Sequence, residues 1–110
     1  MPLYLTRFSD TPATWARLFQ NPEDRRGAAM RCVEAVGGKL HGFWYAFGEH
    51  DAYALYEAPD NGSMAAMAIA IGAGGALSSY QTVPLLTVEG TLEALGKAAA
   101  ITYRAPGAEG

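Results

Sequence analysis

The feature that most restricts the fold is a pair of β-rich runs in mid-chain, residues 39–47 and 51–58, joined by the turn Gly48-Glu49-His50-Asp51. Runs of this length and composition around such a turn predict an antiparallel hairpin. On strict alternation the first run places Lys39, His41, Phe43, Tyr45 and Phe47 on one face. Leu40, Gly42, Trp44, Ala46 and Gly48 then fall on the other, so both faces carry large aromatic groups. A sheet with helices on one face and water on the other would be polar outside. The second face is therefore expected to be covered too.

The flanking segments supply the other elements. Residues 3–9 alternate and are rich in β-formers, which predicts a first strand ended by Asp10-Thr11-Pro12. Thr11 is a good N-cap, with Pro12 at the first helical position where its missing N–H costs nothing. A short helix should run from Pro12 to about Phe19. Asn21-Pro22-Glu23-Asp24 repeats the start signal, and Ala28, Ala29, Cys32, Val33 and Val36 give the next helix one apolar face before Gly37-Gly38 ends it. Pro59-Asp60-Asn61-Gly62-Ser63 reads as a turn and cap before a helix over residues 64–71. That helix carries almost no polar residue and should be covered nearly all round. Residues 77–86 form a fourth strand, in which Pro84 points to an edge or a bulge. Thr87 caps a last helix, residues 88–99.

The order is thus βαββαβ plus a C-terminal helix, an α+β chain with a ferredoxin-like antiparallel sheet and its helices on one face. In that arrangement the fourth strand lies at an edge, in agreement with Pro84. Two apolar sheet faces in a chain of this size favour pairing of two sheets as a dimeric α+β barrel. A homodimer or higher homo-oligomer is expected.

Composition narrows the function classes. The 110 residues suit one domain, with residues 101–110 as a tail, and half of them are hydrophobic while 17% are charged. The net charge is −3 and the basic residues are scattered, which argues against nucleic acid. The apolar stretch 64–77 is shorter than the ~20 residues a bilayer requires and holds three glycines, so no membrane span is expected. Met1-Pro2-Leu3-Tyr4 lacks a basic leader region, and a cytoplasmic location is the expectation. The single cysteine, Cys32, excludes an internal disulfide. It lies on an apolar helix face as a small hydrophobe.

Several segments together resemble the GYD domain family. They are Asn21-Pro22-Glu23-Asp24-Arg25-Arg26, Gly37-Gly38-Lys39-Leu40, residues 43–51, Ala58-Pro59-Asp60-Asn61, Pro84-Leu85-Leu86-Thr87-Val88-Glu89 and Tyr103-Arg104-Ala105-Pro106-Gly107. The most specific part is the aromatic strand leading into Gly48-Glu49-His50-Asp51. His50 stands where the family usually has tyrosine, and Ala105 where it usually has a second proline. The resemblance implies the ferredoxin-like, dimeric α+β barrel fold and little about activity.

Candidate chemistry centres on the hairpin. His50 between Glu49 and Asp51 could act as a general base, or be a solvated turn residue with Asp51 bonded to the turn backbone. His41, on the alternation above, shares a face with Phe43 and Tyr45 and would put a polar group in an aromatic wall. Phe43, Trp44, Tyr45 and Tyr53 are the candidate ligand contacts. They are joined by Phe47 and Tyr56 in a set that is otherwise core material. No metal site or cofactor is expected, because the two histidines and one cysteine have no ligand-set spacing. Gly72-Ala73-Gly74-Gly75 follows a helix and lacks the Lys-Ser/Thr of a phosphate loop, so it reads as a helix end. Arg25-Arg26 could bind an anion, but on a helix beside Glu23 and Asp24 they read as a solvated face. The tail around Tyr103-Arg104 is expected to pack on the body or a neighbour.

Two functions compete. One is a homo-oligomeric domain that binds a small apolar or aromatic ligand in an aromatic cavity. The other is a cofactor-independent enzyme, monooxygenase- or isomerase-like, using the same cavity with His41, His50 or Asp51 as base. Binding is favoured because no nucleophile–base pair is legible.

Overall fold

The computed structural model describes residues 1–107. Four strands, β1 (Leu3–Asp10), β2 (Lys39–Tyr45), β3 (Ala52–Glu57) and β4 (Leu77–Leu85), form one antiparallel sheet. Their order is β2-β3-β1-β4, with every neighbouring pair antiparallel. Four helices, α1 (Pro12–Gln20), α2 (Arg26–Ala35), α3 (Asn61–Ala73) and α4 (Val88–Ala98), complete the α+β, ferredoxin-like order. Pro84 lies on edge strand β4 opposite Tyr4, where a missing donor is tolerated.

The helix starts follow their caps. Thr11 Oγ1 accepts from Thr14 N–H at 3.2 Å and Asp60 Oδ1 from Ser63 N–H at 2.8 Å. Because Asp60 is the cap, α3 begins at Asn61, a turn earlier than the apolar run suggests. α2 begins at Arg26, five residues after Asn21, because Asp24 takes the free Arg26 amide at 3.0 Å and pairs with its guanidinium. Gly37, at φ 82°, then turns the chain out of α2.

The core lies between the sheet and α2 and α3, built around Tyr4, Tyr56, Val33, Met64 and Met67 with Ala54 and Ala58 beneath them. Alternation in β1 and β3 sets the faces. Tyr4, Thr6, Ala52, Ala54 and Tyr56 are buried on the helix side, while Leu3, Leu5, Tyr53 and Leu55 lie on the outer side and are only partly covered.

Three expectations need correction. β2 carries a bulge between Leu40 and Gly42, so strict alternation fails there. The extra residue is His41, and it reverses the parity of everything after it. Leu40, Phe43 and Tyr45 consequently pair with Tyr56, Ala54 and Ala52 on the helix side, and Trp44 faces outward with Tyr53. β2 ends at Tyr45, leaving Phe47 fully exposed in the hairpin. The second correction concerns α3, which is covered only along Met64, Met67 and Ile71. Its outer side is mostly alanine, and Ile69 is the large side chain left exposed. Third, the described part of the tail does not pack on the body of its own chain, since residues 101–107 are exposed throughout. Packing on a neighbour stays a separate expectation, and 108–110 lie outside the described residues.

Candidate functional site

The helix side of the sheet holds a cavity of about 440 Å³ between the strands and the helical layer. Its position follows from small residues: Ala28 and Ala29 on α2, Ala70 on α3 and Ala54 on β3 all line it, so the layers meet without filling the space between them. Phe8 and Phe43 form an aromatic wall, their ring centres 5.7 Å apart, and Phe8 stacks on Tyr80 at 6.5 Å. Cys32 lies in the lining, an apolar neighbour as its helix position suggests.

The two ends of this space differ. At the closed end the buried Thr6 and Tyr56 hydroxyls are hydrogen-bonded, and Thr6 also lies 3.4 Å from the Thr82 hydroxyl. Burial pushes the Tyr56 hydroxyl well above the ordinary tyrosine value, with the Thr6 bond working the other way. The Tyr80 hydroxyl is buried next to Tyr56 yet has no hydrogen-bond partner among the described residues. A buried, unpartnered donor lining a cavity is a ready contact for a ligand acceptor.

At the open end stand Asp10, Thr14, Arg25 and Tyr45. Asp10 is the last residue of β1, on the same face as Thr6 and Phe8, which aims its carboxyl at the cavity. Burial raises its pKa above the usual carboxylate value, Asp51 raises it further, and Arg25 opposes both. Burial, and then the charge of Asp10, raise Tyr45 in the same direction. The space thus offers an apolar middle, a hydroxyl cluster at one end and a protonatable carboxyl beside a guanidinium at the other.

The residues singled out in the sequence scatter around this site. Phe43 and Tyr45 line it. Asp51 stands just behind the wall, where its Oδ2 accepts from Asp10 N–H at 3.0 Å and Trp15 Nε1–H at 3.1 Å. It therefore fixes the end of β1 and the position of Asp10. His41, the bulge residue, does not share a face with Phe43 and Tyr45. It pairs with Glu57 at 3.2 Å on the outer side of the sheet. Trp44 is outward as well, its indole folded so closely over Gly42 that a Cβ there would lie 2.3 Å from the ring. His50 is no solvated tip: it is only 7% exposed, with its ring edge-on to Tyr53 at 6.2 Å and Nδ1 unpartnered among the described residues. Neither His50 nor Tyr53 reaches the cavity.

Asp10, Tyr80 and Thr6 were not singled out as site residues, Arg25 was read as a solvated face rather than an anion binder, and Tyr56 stood only among the aromatics read as core material. The signal for Asp10 was the alternation Tyr4, Thr6, Phe8, Asp10, which puts a carboxyl on the core face of a central strand. Its place beside Thr11-Pro12 makes it look like a strand terminator instead. Arg25 lies at the start of α2 and lines the cavity while also pairing with Glu23 at 3.1 Å.

Among the described residues, no cluster of three or more His, Cys, Asp or Glu could hold a metal ion, and no helix is long and apolar enough to cross a membrane. No curated protein matches the chain. The family model described as GYD domain matches residues 4–95, from the first strand into α4 and across every wall of the cavity. On that match the chain belongs to the GYD domain family.

Proposed function

We propose that the cavity binds a small molecule with an apolar or aromatic body, and that the protein works as a homo-oligomer. The observation that carries the binding reading is the cavity itself: about 440 Å³, walled by Phe8, Phe43 and aliphatic side chains, with polar groups confined to its ends. Ligand pockets fall in the range of about 300–1,000 Å³ and share this layout of apolar walls with a few polar groups. Tyr80 supplies an unused hydroxyl at the closed end, and Asp10 and Arg25 offer complementary charges at the open end.

Self-association is supported by the outer sheet face, where Leu5, Leu55, Val83 and Leu85 surround a central apolar area flanked by Trp44 and Tyr53. Among the described residues no helix covers that side. Two such faces brought together would bury it.

The test is to fill the cavity without touching its polar ends. Ala29→Phe should occupy the space beside Phe43 and abolish binding of an aromatic hit found by thermal-shift screening. Its circular dichroism spectrum should match that of the wild type. Unchanged affinity in the folded variant would refute the cavity as the binding site.

A cofactor-independent enzyme is a second reading, favoured by one observation, the carboxyl of Asp10 at the mouth of an apolar space, where burial raises its pKa. On this reading Asp10 takes the place of His41, His50 and Asp51 as proton acceptor, and Asp51 positions it. Asp10→Asn should then remove turnover while leaving ligand affinity within a few fold. Loss of both together would assign Asp10 to binding alone.

A further inference from the structure

α4 is strongly two-sided. Val88, Leu92 and Leu95, at spacings of four and three, form one stripe, while Glu93 and Lys97 pair at 3.5 Å on the opposite side. Leu86 before the helix and Ile101 after it are further exposed apolar side chains at its two ends. All five apolar side chains are between 60% and 73% exposed, and no residue of α4 is buried. The helix leaves the end of edge strand β4 through two residues, Leu86 and Thr87, and runs off the body. The molecule accordingly measures 63 × 33 × 23 Å, with a radius of gyration of 18.1 Å. A compact chain of this length would have about 13 Å.

We infer that α4 is an exchanged arm: its Val88–Leu92–Leu95 stripe docks on a second copy of this chain, at the rim of the contact between the two outer sheet faces. An isolated helix of 11 residues is marginal in water, so a partner for this stripe is needed to hold it. The chain itself carries a matching rim, the partly covered Leu3–Leu85 end of the outer face beside Leu5, Leu55 and Val83, continuous with the root of α4 at Leu85. Large apolar side chains bury on the order of 100 Å² each. The three stripe residues, Leu86 and Ile101 together with the sheet face thus approach the ~800 Å² per partner of a stable interface. Charge argues against a lipid surface as the occupant. Helices that lie on membranes are rich in Lys and Arg, whereas α4 has Glu89 and Glu93 against Lys97 alone.

The inference rests on the self-association proposed above, and the experiment separates the two. Sedimentation equilibrium is measured on the wild type, on Leu92→Glu/Leu95→Glu and on Leu55→Glu, each checked for folding by circular dichroism. If α4 docks across, the double substitution weakens dimerisation at least a hundredfold, as Leu55→Glu does. A dimer whose dissociation constant is unchanged by the α4 substitutions would overturn the exchanged arm and leave sheet pairing standing. A monomeric wild type would overturn both. A second readout uses mixed dimers, with a nitroxide on Lys97→Cys in a Cys32→Ser background and 15N label only in the other chain. Broadening of partner amides around Leu85 and Leu3 is expected, and its absence in a confirmed dimer would place α4 on its own chain or in solvent.

Discussion

Asp10 carries a cost that a purely structural residue would not. Burial and Asp51 disfavour its carboxylate, so the folded chain keeps this proton to higher pH than the unfolded chain does. Stability linked to Asp10 is therefore greatest below the ordinary value of 3.8 and falls as pH rises toward the raised one. Asp10→Asn should melt about 1–3 °C higher than the wild type at pH 7 and show no such gain near pH 3. Equal melting temperatures at pH 7 would mean that the carboxylate is not penalised. Tyr56 is the opposite case, a buried hydroxyl satisfied by Thr6. Tyr56→Phe should cost about 1 kcal/mol in urea unfolding, since Thr6 keeps Thr82 as a neighbour. His50 shows how far a residue's surroundings can depart from its place in the chain. Between two acidic neighbours in a turn it reads as solvated, yet it is packed against Tyr53. Nothing in the local composition announces a contact that depends on how the hairpin folds over the outer face.

Among the elements, those specified by local chemistry were legible. Thr11, Thr87 and Pro12 fix helix starts through their own side chains or ring, and Pro84 marks the edge strand through the donor it lacks. The bulge at His41 was not legible, because one extra residue leaves no trace in composition. The error then spread, putting His41 in the company of Phe43 and Tyr45 and separating Leu40 from them. Close approach at Gly38 gives an element-scale test. A Cβ there would lie 2.3 Å from the Glu57 carbonyl oxygen and 2.9 Å from Val33. Gly38→Ala must therefore push α2 off β3 and should destabilise the fold by about 1–3 kcal/mol. A denaturation midpoint equal to that of the wild type would show that the two elements are not held so tightly. α4 poses a different question, since its helix was legible from Thr87 and its spacing while its lack of a partner within the chain was not. Thr87→Ala removes the bond accepted from Gly90 N–H at 2.9 Å. It should raise hydrogen exchange in α4 several fold and leave β1 and β3 protection unchanged.

At the scale of the whole molecule two apolar regions have separate uses. The helix side of the sheet encloses the cavity, while the outer face and α4 are left exposed and are assigned by our proposal to another copy. The aromatic residues of β2 and β3 suggested one cavity; the fold divides them, with Phe43 and Tyr45 inside and Trp44 and Tyr53 outside. The central claim is that ligand enters the space between sheet and helices. Amide and methyl chemical-shift mapping tests it most directly, using the wild-type protein titrated with a naphthalene-sized aromatic alcohol. Saturable shifts are predicted at Phe8, Ala28, Ala29, Phe43 and Tyr80, with Trp44, Tyr53 and His41 unmoved. Shifts confined to the outer-face residues, or none at millimolar ligand across a panel of such compounds, would contradict the account.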